Sequence, residues 1–295
     1  MPSFTASQLS PLQLQNYLHA LIAPRPICFA STIDLKGNVN LSPFSYFNMF
    51  SSNPPICVFS PARRVRDNTT KHTYENLLEV PECVINIVDY AMVQQTSLAS
   101  TEYPKGVNEF VKAGLTELQS VLVKPPRVAE SPAQLECVVS QIIPLGTEGG
   151  AGNLVIAEIK LIHINDDLFS QTGEVEQDKV DLVARLGGDW YCRITKENLF
   201  RLAKPLTNIG IGIDALPDTI RNSFILSGND LGQLANVESL PADEEVEEIM
   251  FEADIREILD STIGDETTRT IALQTKAKEL LAAGNVTLAW KVLLI

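Results

Sequence analysis

Asn40-Leu41-Ser42-Pro43-Phe44-Ser45-Tyr46-Phe47-Asn48-Met49-Phe50-Ser51-Ser52 is the stretch whose reading decides the fold. It places aromatic rings and Met49 among serine hydroxyls and two amides. Pro43 has no backbone N–H to give a neighbouring strand, so the stretch cannot be a central strand throughout. A core strand would not carry so many small polar groups, and a surface loop would not carry so many aromatics. The mixture suits a wall lying flat against a planar, partly polar ligand, with apolar faces for the rings and short donors for the edge. It equally suits a strand end that turns into a helix, with the polar residues serving as caps.

Working outward toward the N-terminus, Leu12, Leu14, Tyr17, Leu18 and Leu21 share one face, which predicts a short helix over residues 10–23 that Pro24 and Pro26 end. Residues 27–33 form an apolar run that reads as a strand. Asp34-Leu35-Lys36-Gly37-Asn38 is turn chemistry, and residues 39–44 return as the second strand of a hairpin. Toward the C-terminus, Asn53-Pro54-Pro55 breaks the chain ahead of a short strand over residues 56–60. The pattern then predicts a helix over 73–78, a strand over 82–88 and helices over 92–99 and 106–113, the last closed by Gly114. Two long strands follow over 135–143 and 154–164. Strands recur without the regular helices of a parallel sheet, so the expectation is a mainly β fold, an antiparallel barrel or sandwich. Past residue 196 the texture turns helical. Residues 243–257 read as one acidic amphipathic helix with Ile249, Phe251 and Ile255 on its stripe, and helices over 267–283 and 286–294 follow. The expected organisation is a β domain over 1–195 and a mostly helical extension over 196–295.

The chain has 295 residues, a formal net charge of −14 and a pI near 4.7. That balance excludes a general nucleic-acid binder, which needs a basic footprint, and a membrane-surface protein, which needs a polybasic face. No run approaches the roughly 20 apolar residues of a membrane span. Met1–Pro11 shows no basic end followed by an apolar block, so the expectation is a cytoplasmic protein. Cys28, Cys57, Cys83, Cys137 and Cys192 form no Cys-x-x-Cys pair and read as free, buried thiols, with no metal site.

Residues 63–71 are the one basic patch of an acidic chain, with Arg63, Arg64, Arg66 and Lys71 interleaved with Asn68, Thr69 and Thr70. A phosphate monoester carries close to two negative charges and is held by backbone N–H groups, hydroxyls and one or two cations. Arg66, Asn68, Thr69, Lys71 and Thr73 supply that set; a solvated surface loop is the alternative. Farther on, Arg185-Leu186-Gly187-Gly188-Asp189-Trp190-Tyr191 is a turn, or a place where backbone approaches a ligand. No Gly-x-Gly-x-x-Gly follows a strand, no P-loop is present, and no Gly-x-Ser-x-Gly marks a serine nucleophile.

Taken in order, Arg25-Pro26-Ile27, Ser31-Thr32, the run Gly37 to Asn48, Lys71-His72-Thr73 with Asn76, Phe110 with Ala113-Gly114-Leu115-Thr116, Lys124-Pro125-Pro126-Arg127-Val128-Ala129-Glu130-Ser131-Pro132, Leu135-Glu136-Cys137 and Arg185-Leu186-Gly187-Gly188 with Tyr191 resemble the flavin-reductase-like proteins with the FMN-binding split barrel. Flavoredoxin lies on the nearest branch. The resemblance spans residues 25–191. It implies a six-stranded antiparallel Greek-key barrel with helices around it, a homodimer, and FMN near the subunit interface. Ser42, Pro43, Phe44, Ser45, Tyr46, Phe47 and Asn48 would then lie along the flavin ring and ribityl chain. Ser60, Arg66, Asn68, Thr69, Lys71 and Thr73 would reach toward the phosphate, and Arg185 and Gly187 would wall the pocket. Two activities follow from the resemblance. One is an NAD(P)H-dependent flavin reductase, in which NADH or NADPH is the reductant. The other is an FMN electron carrier served by a redox protein. No metal, nucleic acid or membrane is expected.

Overall fold

The computed structural model describes residues 1–202, 204–205 and 209–295, and the chain falls into two compact units, Met1–Phe200 and Arg201–Ile295. Helix α1 (Pro11–Leu21) opens the first unit. Ser10 caps it by accepting from the Gln13 amide, and Pro11 sits at its first position, where a missing N–H costs nothing. None of the residues of α1 is buried.

Strand β1 (Arg25–Pro26) is short, and β2 (Cys28–Ile33) pairs with β3 (Val39–Phe44) across the Asp34–Asn38 turn. That turn is tied by Asp34, whose carboxylate accepts from the Lys36 and Asn38 amides. Strands β4 (Phe47–Ser52) and β5 (Pro55–Phe59) make the next hairpin. Helix α2 (His72–Glu79), β6 (Glu82–Ile87), α3 (Val93–Ala99) and α4 (Glu109–Ala113) follow. Gly114 closes α4 in the left-handed conformation, where lacking a Cβ removes the strain. The small ribbon of β7 (Glu117–Leu118) and β8 (Arg127–Val128) leads to the twelve-residue strands β9 (Ala133–Pro144) and β10 (Asn153–Ile164). Finally β11 (Val183–Arg185) pairs with both β1 and β12 (Tyr191–Arg193).

The main sheet has seven antiparallel strands in the order β3-β2-β6-β9-β10-β5-β4. The expectation was a split barrel of six strands. The difference lies in the opening stretch. Its two halves, β3 and β4, are the outer strands of the sheet, joined only by Ser45 and Tyr46, and no ladder pairs them. The sheet therefore curls so that its two edge strands are linked through Ser45 and Tyr46, a seam that no ladder closes. Pro43 is tolerated because β3 is an edge strand. The helix anticipated as one option after residue 44 is absent, and a strand stands there. Inside the curl, Cys28, Phe44, Cys57, Phe59, Leu77, Cys83, Ile85, Cys137 and Val155 pack into one core. The four cysteines of this core are buried free thiols, and Cys192 is half-buried.

The second unit is helical: α5 (Asp218–Arg221), α6 (Gly228–Ala235), α7 (Asp243–Ile249), α8 (Ala253–Ser261), α9 (Glu266–Ala282) and α10 (Val286–Leu293). The chain as a whole is thus of mixed content rather than mainly β. Leu216, Ile220, Leu234, Ile249, Ile255, Leu273, Leu281 and Trp290 form the core of this unit. Trp290 satisfies its buried N–H on the Leu234 carbonyl at 2.9 Å. The single helix expected over 243–257 is two helices. Ile249 and Ile255 are both buried, and six residues apart they would fall on different faces of one continuous helix. A break between them lets both reach the core, and it leaves Phe251, expected on the stripe, exposed. No helix among the described residues is long and apolar enough to cross a membrane.

Candidate functional site

Three cavities of the first unit meet along the seam. The smallest, about 40 Å³, is lined by Asn40, Ser42, Pro43, Arg64, Lys71, His72, the segment Ala99–Tyr103 and Glu109. It shares Pro43 and Ser100 with a second, of about 270 Å³, lined by His19, Arg25, Ile27, Phe44, Ser45, Thr96, Ser97, Arg185 and Tyr191. That one shares Arg25 and Ser45 with a third, of about 560 Å³. The third is walled by Leu21–Pro26, Ser45–Asn48, Phe50, Val58–Ser60 and Leu154. One trough results. At one end Lys71 and Arg64 bring cations, with Glu102 and Glu109 in the same wall; the middle is mixed and the other end apolar.

The fold places each wall for a local reason. The seam presents Ser42–Asn48 because two edge strands meet there. Lys71 stands at the N-terminus of α2, and its ammonium lies 5.9 Å from the centre of the Phe44 ring. Burial, with Arg64 next, pulls its pKa below the usual lysine value, and Glu102 opposes the shift. His72 is likewise lowered, first by burial. Arg64 reaches the Thr69 hydroxyl at 2.9 Å and Glu102 at 3.0 Å, and it also donates to the Thr70 carbonyl. In the middle of the trough Arg25 is 8% exposed. Its terminal nitrogens donate to the His19, Ile22 and Leu186 carbonyls at 2.8–2.9 Å. Arg185 stacks over the Tyr191 ring at 4.6 Å and donates to the Tyr191 hydroxyl and the Gly188 carbonyl.

Of the residues read from the sequence, Ser42, Pro43, Phe44, Ser45, Tyr46, Phe47, Asn48, Ser60, Lys71 and Arg185 line the trough. Five do not, and each has a physical reason. Arg66 has a side chain 74% exposed and spent on Glu102 at 2.8 Å and Asp67 at 3.2 Å. Asn68, at positive φ, accepts from Arg63 at 2.6 Å. Thr69 donates to Asp67 at 2.6 Å, so the tip of the basic loop satisfies itself. Thr73 is fully buried and donates to Asn40 at 2.8 Å, which makes it scaffold beneath the cationic end. Gly187 lies outside the cavity walls and backs onto α1, where an added Cβ would stand 3.4 Å from Ala20.

Sequence reasoning missed Arg25, His19, Thr96 and Ser100 as wall residues. Arg25 is the one with a signal, since it sits in the quoted Arg-Pro-Ile motif. The ranking of Arg66 above Arg64 also fails, because the countercharge that decides it, Glu102, is remote in sequence.

A flat heteroaromatic ring with carbonyl oxygens and an anionic tail fits this donor set. Among the described residues, Nε of Arg25 is the one buried side-chain nitrogen or oxygen without a hydrogen-bond partner, and it belongs to a residue shared by the two larger cavities. A buried orphan donor of this kind calls for an acceptor. The cationic end offers the Lys71 ammonium and the Ser42, Ser100 and Thr101 hydroxyls.

Comparison with known proteins agrees. The flavin reductase like domain matches residues 21–180. The chain belongs to the flavin-reductase-like family. An uncharacterised protein of Halalkalibacterium halodurans is 37% identical over 181 residues, covering 60% of this chain and 86% of the relative. The nitrilotriacetate monooxygenase component B from Bacillus cereus superposes with a TM-score of 0.64 at 28% identity, over 68% of this chain and 98% of that one. A flavin reductase with a split barrel domain from Shewanella frigidimarina superposes with a TM-score of 0.59 at 25% identity, over 69% of this chain and all of that one. The seven-stranded open sheet is therefore the split-barrel fold of this family, and the matched region ends ahead of the helical unit.

Proposed function

We propose that the chain binds FMN along the seam and works as an NAD(P)H-dependent flavin reductase. The observation that carries this reading is the continuity of the trough, from Lys71 and Arg64 through Arg25 and Ser45 to the apolar wall of Tyr46, Phe47 and Phe50. Lys71, with the Ser42, Ser100 and Thr101 hydroxyls, holds the phosphate by charge-assisted bonds. Arg25 and Ser45 meet the polar edge of the ring. Phe47, Phe50, Val58 and Leu154 exclude water from one face. FMN, when bound, supplies the two-electron chemistry, and the protein supplies orientation and electrostatics. NADH or NADPH is the reductant.

The working form is a homodimer. Support comes from apolar surface left uncovered near the trough: Leu12, Leu18 and Leu21 of α1, and Met49 and Phe50 of β4, are all exposed. Edge strand β4 also has one side of its backbone unpaired.

The test is the absorbance spectrum of the purified protein, followed by anaerobic stopped-flow mixing with NADH and with NADPH. Bound flavin bleached by one of them is the expected result. A protein that cannot be loaded with FMN overturns the reading. Flavin that neither nucleotide bleaches removes the reductase activity and leaves an electron carrier served by a redox protein.

A further inference from the structure

Glu102 and Glu109 both stand in the wall of the cavity that the flavin reading gives to the phosphate. Glu109 is buried, and its oxygens accept from Asn40 and from the Leu41 amide, so it belongs to the scaffold. Glu102 is different. Its side chain is 45% exposed, in the irregular segment between α3 and α4. One oxygen accepts from Nε of Arg64 at 3.0 Å and the other from Arg66 at 2.8 Å. Arg64 is the inner arginine, 16% exposed and in the cavity wall with Lys71, and Arg66 is the outer one. A site built to hold an anion has no use for a carboxylate there, because the carboxylate repels the anion and occupies the guanidinium that would bind it.

We propose that Glu102 competes with the flavin phosphate for Arg64, and so limits both the preference of the site for FMN over riboflavin and the time for which FMN is held. This rests on the flavin reading and names a residue that sets its specificity. A phosphate seated on Lys71 and on the Ser42, Ser100 and Thr101 hydroxyls shares its wall with Glu102. To gain Arg64 in full it has to turn the carboxylate aside.

The surroundings of the pair allow that exchange. Arg64 does not depend on Glu102 for its place, since its Nη1 donates to the Thr69 hydroxyl at 2.9 Å and to the Thr70 carbonyl. Among the described residues its Nη2 makes no hydrogen bond, which leaves a donor for a phosphate oxygen. Arg66 gives the displaced carboxylate somewhere to go, because it already holds the second oxygen from the solvent side. The bond to Arg66 is also the first of the causes that keep the pKa of Glu102 below the usual glutamate value, so the competitor is ionised at neutral pH.

The test is a fluorescence titration of the full-length protein with FMN and with riboflavin, which differ only in the phosphate. Glu102→Gln keeps an acceptor for Arg64 and removes the charge. It is expected to bind FMN about tenfold more tightly than wild type, with riboflavin unchanged within about twofold. Release of FMN on dilution, followed by stopped-flow fluorescence, should slow by about the same factor. Glu102→Ala removes the acceptor as well and should tighten FMN in the same sense, which a carboxylate with a merely structural role would not do. In an Arg64→Ala background Glu102→Gln should change FMN affinity by less than about threefold, since the contested group is gone. FMN bound no more tightly by either Glu102 variant, FMN and riboflavin gaining alike, or a full gain kept without Arg64 overturns the proposal. A wild-type protein that binds neither flavin fails the broader reading instead, and that failure shows before any variant is made.

Discussion

The Thr73 hydroxyl donates 2.8 Å to Oδ1 of Asn40, and this one bond joins the first turn of α2 to edge strand β3 beneath the cationic end of the trough. Asn40 passes the link on, donating 3.0 Å to Glu109, whose other oxygen accepts from the Leu41 amide at 2.9 Å. All three side chains are buried. Thr73→Val keeps the shape and leaves Asn40 Oδ1 without its donor. The expected cost is about 1–3 kcal/mol of stability, read from urea unfolding. FMN and riboflavin should weaken alike. A selective loss of FMN would make Thr73 a phosphate ligand after all.

Lys71 and Arg66 separate by the same comparison. Lys71 is partly desolvated in the wall of the trough, and its charge has no carboxylate within ion-pair reach among the described residues. Lys71→Ala should weaken FMN by about 1.5–3 kcal/mol relative to riboflavin, roughly ten- to a hundredfold in Kd. Arg66→Ala should change either affinity by less than about threefold, since an exposed, already paired guanidinium contributes little. Fluorescence quenching titrations with the two flavins check both numbers.

Acid should loosen the first unit through two histidines. His19 and His72 both have pKa values lowered from 6.5, in each case chiefly by burial. The unfolded chain therefore binds more protons than the folded one in the window just below pH 6.5. The stability these sites contribute is fully present above that pH and is lost as pH falls through the folded values. Glu109 has the opposite sign: burial raises its pKa above 4.5, so its contribution fades as pH rises from there. Thermal melts from about pH 7.5 to 5.5 should show a falling midpoint in the wild type and a flatter one in His19→Gln/His72→Gln. Parallel slopes would mean that neither histidine titrates abnormally.

The legible and the illegible parts of this molecule differ in kind. Strands β2, β3, β9 and β10 were readable because each has a local cause, in an apolar run or a turn-forming stretch such as Asp34–Asn38. The trough was half readable. Ser42–Asn48 announced itself by an odd composition, and Lys71 by its place in a basic patch. What failed was everything set by a distant partner. Arg66 and Arg64 look alike until Glu102 arrives to pair with both. Thr73 looks like an exposed hydroxyl until Asn40 claims it. His19 sits on a helix whose own sequence gives no hint of Tyr46, yet its Nε2 and the Tyr46 hydroxyl lie 2.7 Å apart. The split of residues 243–257 into α7 and α8 has the same origin, since only the packed core of the second unit fixes which isoleucines must be buried.

Gly152 tests how closely the wall is built. A Cβ there would stand 2.7 Å from Oγ of Ser60, which accepts the Asn153 amide at 3.0 Å and lines the apolar cavity. Gly152→Ala has to turn the serine aside or move the strand. The Asn153 amide is buried, so losing its acceptor should cost about 1–3 kcal/mol. The double variant Gly152→Ala/Ser60→Gly removes the clash but not the missing bond, and it should recover only part of that loss. Full recovery would show that crowding alone matters at this position.

The exposed face of β4 carries the prediction about assembly. Met49 is 66% and Phe50 70% exposed on a strand with a free edge, and Phe50 also lines the apolar cavity. If a second copy covers this strand, Met49→Glu places a charge in the contact while leaving the cavity walls alone. Light scattering should then give a mass near that of one chain, 32.4 kDa, for the variant and twice that for the wild type. Burying an unpaired carboxylate in an apolar contact is costly enough to split a dimer of ordinary strength. A wild-type chain that already runs as a monomer removes the dimer from the reading. A variant that stays dimeric moves the contact to the uncovered leucines of α1, where Leu18→Glu makes the same test.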